Sequence, residues 1–233
     1  MEAIVLVGGL GTRLQSVVND VPKPMAPIGE KPFLEYILRY LQKNGITRVI
    51  LSVGYKWEVI KEYFGNKFEN IELIYSIEDE PLGTGGAIKK AMLNIKNQEV
   101  YVINGDTFFD VDLKELCLKK NSKLQLSLKE MKSFDRYGSV ESNLENYVTK
   151  FTEKEYKDFG NINGGIYLSS KNIFLEYDLE DKFSFEEFME NNSKKLNITT
   201  HIFNNYFIDI GIPSDYKKAQ DEMVKYIWIK FAI

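Results

Sequence analysis

Residues 2–7 place the first constraint on the chain. Ala3, Ile4, Val5, Leu6 and Val7 form an unbroken apolar run after Glu2. A short continuous run of this kind suits a strand covered on both faces, as in the interior of a parallel sheet. It ends in Gly8-Gly9-Leu10-Gly11, followed by Thr12, Arg13 and Leu14. Glycines at this density let backbone amides approach a ligand closely and point at it, which suits phosphate oxygens. Arg13 adds a fixed cation able to grip two oxygens at once, and Lys23, in Pro22-Lys23-Pro24-Met25, adds a mobile point charge. Together they describe a polyphosphate site. Two familiar phosphate loops are excluded by spacing. A dinucleotide fingerprint needs glycine where Leu14 stands, and a P-loop needs Gly-Lys-Ser/Thr where Arg13, Leu14 and Gln15 stand.

The spacing beyond this turn predicts a helix over 32–43, with Phe33, Leu34, Ile37, Leu38 and Leu41 on one face and Asn44-Gly45 as its end. Strands follow at 49–53, 71–75 and 99–103, alternating with helices at 57–64 and 85–93. Strands and helices in alternation argue for right-handed βαβ units and a largely parallel sheet. Ligands of such sheets sit beyond the carboxyl ends of the strands. The turn at 8–13, the loop at 78–84 and Asp106 each follow a predicted strand directly, which groups them on one rim.

The second half has a different texture. Short strands are predicted at 124–131, 138–141, 147–151, 164–168, 198–203 and 206–210, the last two joined as a hairpin by Asn204-Asn205. Helices are predicted at 171–176 and 184–191, and Pro213 opens a final helix. The apolar stretch 226–233 is read as core packing of that helix, with a subunit contact, as in a homodimer, as the alternative.

Composition narrows the partners. In 233 residues, 30 Lys and Arg against 34 Asp and Glu leave a net charge of −4, so no broad cationic surface exists for nucleic acid. No apolar run approaches the roughly 20 residues that span a bilayer, and no basic leader precedes the first strand. A lone cysteine, Cys117, and a lone histidine, His201, leave no intramolecular disulfide and no zinc set. A cytoplasmic location is the expectation.

The motif Gly8-Gly9-x-Gly11-Thr12-Arg13-Leu14 with Pro22-Lys23-Pro24-Met25 resembles the signature of the sugar-1-phosphate nucleotidyltransferases. The resemblance continues in order through Pro81-Leu82-Gly83-Thr84-Gly85-Gly86-Ala87, Asn104-Gly105-Asp106, Phe151-Thr152-Glu153-Lys154 and Asp209-Ile210-Gly211-Ile212-Pro213. It implies one α/β domain over 1–233, with a Rossmann-like, mostly parallel mixed sheet flanked by helices. Residues 1–110 would bind nucleotide and 111–233 the sugar phosphate. The activity implied is attack of a sugar 1-phosphate on the α-phosphorus of a nucleoside triphosphate, yielding an NDP-sugar for surface polysaccharide and releasing pyrophosphate. The nucleophile is already anionic near neutral pH, because a phosphate monoester loses its second proton near pH 6. No general base or covalent intermediate is then needed.

The same resemblance assigns roles. Arg13, Lys23 and Asp106 would be catalytic, and Asp106 with Asp209 would hold Mg²⁺. Leu6, Gly8, Gly9, Gly11, Thr12, Arg13, Lys23, Glu78, Pro81, Gly83, Thr84 and Asn104 would bind nucleotide. Gly138, Glu153, Lys154, Asn163 and Gly164 would bind the sugar phosphate, Lys154 through the phosphate itself. The family's usual proline after this Glu-Lys pair is Glu155 here, which leaves Lys150 as an alternative to Lys154. Glu78 points to the base. Thymidylyl and uridylyl relatives usually carry glutamine there, whose donor and acceptor match uracil or thymine. A carboxylate only accepts, and guanine offers two neighbouring donors, so GTP is the expected triphosphate. Residues 17–28 and 51–55 are most similar to guanylyltransferases of a heptose 1-phosphate. Transfer to mannose or another hexose 1-phosphate, a cytidylyltransferase and a non-catalytic regulatory subunit are the alternatives.

Overall fold

The computed structural model describes residues 1–9, 11–14, 17–18 and 21–231, with the backbone alone for 227–231. Strand β1 (Glu2–Leu6) is the apolar run, buried from Glu2 to Val5. Its residues face two layers in turn: Ala3 and Val5 join one core cluster, Ile4 the other. Two short strands, β2 (Pro27–Ile28) and β3 (Lys31–Pro32), pair antiparallel. Helix α1 (Phe33–Lys43) follows and buries Phe33, Leu34, Ile37, Leu38 and Leu41 as its spacing predicts. Next come β4 (Arg48–Val53), α2 (Trp57–Phe64), β5 (Lys67–Phe68), β6 (Ile71–Ile77), α3 (Gly83–Met92) and β7 (Glu99–Asn104).

Strands β7, β1, β4 and β6 lie side by side and parallel. The chain moves outward from β1 through β4 to β6, then returns to β7 on the other flank of β1. Loops leaving β1 and β7 therefore run to opposite sides. That reversal opens the crevice in which open α/β sheets bind ligands.

The rest of the chain supplies β8 (Thr107–Phe109), β9 (Leu124–Phe134), β10 (Ser139–Ser142), β11 (Val148–Thr152), β12 (Lys157–Ser170), α4 (Phe185–Leu196), β13 (Thr199–Phe203), β14 (Phe207–Asp209) and α5 (Pro213–Phe231). Strand β12 pairs antiparallel with β7, so one sheet runs through both halves in the order β11-β10-β12-β7-β1-β4-β6-β5. Strand β9 also pairs with β12, and β13 lies parallel beside β9. The mixed sheet, parallel at its centre and flanked by helices, matches the fold class expected.

Three local readings are corrected. Residues 198–203 and 206–210 form no hairpin: β13 finds its partner in β9, and β14 pairs with β8, a strand not foreseen. Residues 171–176 are successive turns closed by i→i+3 bonds (Ile173 to Ser170, Leu175 to Asn172), not a helix. The strand at 164–168 is the end of the 14-residue β12. Of the apolar tail, Tyr226 stacks on Tyr206 with ring centroids 4.3 Å apart and donates its hydroxyl to Asp110. The side chains of 227–233, like Leu10, Gln15, Asn19 and Asp20 of the motifs, lie outside the described residues. No helix among the described residues is long and apolar enough to cross a membrane.

Candidate active site

Loops at the carboxyl ends of β1, β6 and β7 converge over the crevice. After β1 the backbone turns through Gly8, Gly9 and Gly11 into one 3-10 turn, Thr12–Leu14. Leu14, 1 % exposed, pins this turn to the core, while Arg13 projects outward. Gly11 has φ +60°, and a Cβ there would lie 2.8 Å from Cβ of Lys23. Left-handed backbone and close approach together leave room for glycine alone.

Lys23 opens a second short turn, Lys23–Met25, entered through the extended Pro22. Its Nζ donates to Oδ2 of Asp106 at 2.6 Å, which places the cation of one loop against the carboxylate that follows β7. Arg13 has no ion pair among the described residues. After β6, Glu78 turns back over β1. A Cβ on Gly8 would come 2.6 Å from its Oε1, so that glycine gives the carboxylate its place. The Ser52 hydroxyl donates to Oε1 (3.2 Å) and the Leu82 N–H to Oε2 (3.1 Å), fixing the group while leaving it acceptor capacity.

These loops enclose a cavity of about 610 Å³, within the range of small-molecule sites. All twelve residues expected to bind nucleotide lie in its wall. From β1 and its loop come Leu6, Gly8, Gly9, Gly11, Thr12 and Arg13, with Lys23 beside them; from β6 onward, Glu78, Pro81, Gly83 and Thr84; from β7, Asn104 and then Asp106. The wall also holds Glu186, which the sequence reading passed over. In sequence it is one more acidic residue in the first turn of a helix, where the helix dipole already favours one. Only the fold brings it here.

The two aspartates expected to share a cation are neighbours through their backbones. Asp209 pairs in register with Thr107, and the Ile210 N–H donates to the Asp106 carbonyl at 2.9 Å. Their carboxylates are held differently. Asp106 accepts from Lys23 and from the Thr107 hydroxyl (3.1 Å). Asp209 lines a second cavity, outside the wall of the first, where the Tyr137 hydroxyl donates to Oδ2 at 3.0 Å and the Gly211 N–H to Oδ1. Burial, then the Asp209 charge, raises the Tyr137 pKa far above the usual tyrosine value, so this donor keeps its proton. No group of three or more His, Cys, Asp or Glu suited to a metal occurs among the described residues. Two hard carboxylates suit a small dication whose other ligands are phosphate oxygens and water.

The residues expected at the sugar phosphate are less gathered. Gly138 sits where a Cβ would meet the Thr152 carbonyl oxygen at 2.7 Å, joining β10 to β11. Asn163 spends its side chain locally, donating to the Tyr167 hydroxyl (2.7 Å) and accepting from the Gly165 N–H (3.0 Å). Gly164 packs on Phe109. Glu153 and Lys154 are exposed in the loop between β11 and β12, outside the cavity wall. Lys157 turns inward instead, donating to the Ser139 hydroxyl at 2.8 Å.

Comparison with known proteins fits this geometry. The profile of the nucleotidyl transferase family matches residues 2–225. The D-glycero-alpha-D-manno-heptose 1-phosphate guanylyltransferase of Campylobacter jejuni is 59% identical over 216 residues, 93% of this chain and 97% of its own. The enzyme of the same name from Aneurinibacillus thermoaerophilus is 54% identical over 231 residues, 97% of this chain and 100% of its own. The crystal structure of HddC from Yersinia pseudotuberculosis superposes with a TM-score of 0.84 at 41% identity, covering 95% of this chain and 99% of its own, and HddC has also been solved with GMP-PN. The chain belongs to the nucleotidyl transferase family.

Proposed function

We propose that the protein transfers the guanylyl group of GTP to a heptose 1-phosphate, D-glycero-α-D-manno-heptose 1-phosphate, releasing pyrophosphate and forming a GDP-heptose. The observation that carries this reading is the cavity at the β1/β7 reversal, with a glycine loop, Arg13 and Lys23 on one wall and a fixed carboxylate, Glu78, on another. The high identity to two heptose 1-phosphate guanylyltransferases over nearly their whole length supports the choice of substrates.

The sugar phosphate attacks as an anion, so the protein's task is to screen two repelling polyanions and hold them in line. Amides of the 8–13 turn and Thr12 cradle the triphosphate. Arg13 and Lys23 neutralise the β- and γ-phosphates as they leave. Glu78 accepts from N1–H and the 2-amino group of guanine. Asp106 and Asp209 are the residues that would hold Mg²⁺, which supplies charge neutralisation at the phosphates when bound. Lys154 would meet the incoming phosphate once its loop folds over the cavity, with Glu153, Gly138, Asn163 and Gly164 around the sugar. The single, exposed Cys117 fits a cytoplasmic setting.

Pyrophosphate release, measured with GTP, ATP, CTP, UTP and dTTP against heptose and mannose 1-phosphates, tests the proposal. The expected result is highest kcat/KM for GTP with the heptose phosphate. Preference for another base or for mannose 1-phosphate would overturn the respective half.

A further inference from the structure

One face of the second glycine motif is filled by protein, not by ligand. A Cβ on Gly83 would lie 2.6 Å from the Phe183 carbonyl oxygen, on Gly85 2.2 Å from the Phe183 ring, and on Gly86 2.1 Å from the Asp181 carbonyl oxygen. The start of α3 is thus docked on the segment entering α4 at a separation no side chain permits. Backbone bonds fasten the contact: Gly85 N–H to Phe183 O and Phe183 N–H to Leu82 O, both 3.0 Å.

Thr84, between these glycines, carries the consequence. Its hydroxyl accepts from the Phe185 N–H at 2.8 Å and donates to Oε2 of Glu186 at 2.7 Å. The Ser184 hydroxyl donates to the same oxygen at 3.0 Å. The Glu186 carboxylate is therefore fixed in the cavity wall, with no partner on Oε1 among the described residues.

A carboxylate facing a ligand rich in phosphate is tolerable where a cation lies between them or where the ligand presents O–H or N–H donors. Glu78 takes up such a position over Gly8 and Ser52, on the flank of β1 and β4. Glu186 is held instead from the start of α3, by Thr84. Its helix packs Phe185 against the fully buried Tyr167 ring, centroids 5.4 Å apart, and the Tyr167 hydroxyl is the partner of Asn163. Burial first, then the Glu186 charge, and more weakly that of Asp106, raises this hydroxyl's pKa. The helix that carries Glu186 is thus packed on the strand that carries Asn163 and Gly164.

We propose that Glu186 recognises the hydroxyl groups of the sugar 1-phosphate, as a specificity-determining residue, and that Gly83, Gly85 and Gly86 exist to seat it. This rests on the reading of the site as a sugar-1-phosphate guanylyltransferase. Oε1 accepts from one hydroxyl or two neighbouring ones, and a site built for hydroxyls rejects analogues lacking them.

Steady-state kinetics of Glu186→Ala and Glu186→Gln, varying each substrate separately, test the assignment, with Glu187→Ala as an exposed neighbour control and thermal unfolding alongside. Glu186→Ala should raise the KM for heptose 1-phosphate about 10- to 150-fold, the range of a hydrogen bond to a charged group. The KM for GTP and its equilibrium affinity should stay within about twofold, a factor worth under 0.5 kcal/mol. Glu186→Gln, which keeps one acceptor, should fall between; it carries the test if the alanine variant fails to fold. A rise in the KM for GTP alone would move Glu186 to the ribose, an equal rise in both KM values would make it a general support of the cavity wall, and unchanged values for both would reduce it to a helix cap. Each of these overturns the proposal. Wild-type enzyme that fails to use any sugar 1-phosphate with GTP would instead sink the reading of the site, so the two failures are distinct.

Discussion

Around the position a Cβ would take on Gly9 no atom of the described residues, its chain neighbours aside, lies within 4 Å, whereas on Gly86 that atom would fall 2.1 Å from the Asp181 carbonyl oxygen. Both glycines belong to dense motifs at the mouth of the same cavity, Gly8-Gly9-x-Gly11 and Gly83-Thr84-Gly85-Gly86. In the first, Gly9 leaves an open surface beside Arg13, while Gly8 and Gly11 make room for Glu78 and Lys23. The second is consumed by the meeting of α3 with the chain entering α4. At Gly9 the missing side chain leaves approach open to a ligand, whereas at Gly86, as at Gly8 and Gly11, it lets the protein approach itself. Changes at Gly9 and at the charged groups of the first region should then cost turnover without stability, and changes at Gly86 should cost both.

The largest effect is expected where the first region meets the catalytic carboxylate. Asp106→Ala should lower kcat about 10²–10³-fold, the usual loss for one group stabilising transition-state charge, with little change in the unfolding midpoint. Asp209→Ala should behave alike, and the double variant should be scarcely worse than either single one, because both act through one ion. Pyrophosphate-release assays at saturating Mg²⁺ would read this directly. Simple additivity of the two losses would remove the shared ion from the account.

Next comes Glu78→Gln. Its carboxylate is held by Ser52 and Leu82 in the wall beside Gly8. The amide should lose about 10- to 150-fold in kcat/KM for GTP and narrow the lead over UTP and dTTP. A variant that keeps its full preference for GTP would move guanine recognition elsewhere.

What could be read from the chain alone follows the same division. The 8–13 turn, Glu78 and Asp106 are legible because each follows a strand end, and strand ends in an alternating α/β chain share a rim; Lys23 is legible from its Pro-Lys-Pro-Met motif. The role of Gly85 and Gly86 is not, since their partner lies about a hundred residues on, at 181–183. Asp106 and Asp209 meet only because β14 chooses β8, while the turn-like Asn204-Asn205 suggests that it pairs with β13. A hairpin is the cheaper local closure, but the open edge of β9 offers β13 five residues of parallel pairing. Glu153 and Lys154 illustrate the converse: their motif is legible, yet their loop holds them exposed and away from the cavity wall.

Gly86→Ala sharpens the second half of the comparison. The added methyl overlaps a backbone carbonyl, not the end of a flexible side chain, so α3 and the 181–186 segment must separate. Overpacking of this kind costs about 1–3 kcal/mol, or several degrees of unfolding midpoint for a chain of this length. The same displacement should carry Glu186 off its bond to Thr84 and raise the KM for the sugar phosphate more than that for GTP. A variant of unchanged stability would show that the contact can relax at no cost.

The smallest effect, and the cleanest contrast, is expected from Gly9→Ala. Gly9 is exposed, its φ lies outside the left-handed region, and none of the described residues beyond its chain neighbours surrounds its missing Cβ. The protein itself therefore gives no reason for glycine at this position. Stability should change by no more than about 0.5 kcal/mol, as for an ordinary surface substitution. Any penalty must come from the ligand: a methyl on the face that amides present to the triphosphate keeps phosphate oxygens from their donors. A rise in the KM for GTP of roughly 3- to 10-fold corresponds to about 1 kcal/mol and should appear with the sugar-phosphate KM unmoved. Thermal unfolding and GTP titration of this one variant decide the matter. Loss of stability would place hidden packing in the first loop, and unaltered GTP binding would mean that the triphosphate passes the loop without touching Gly9.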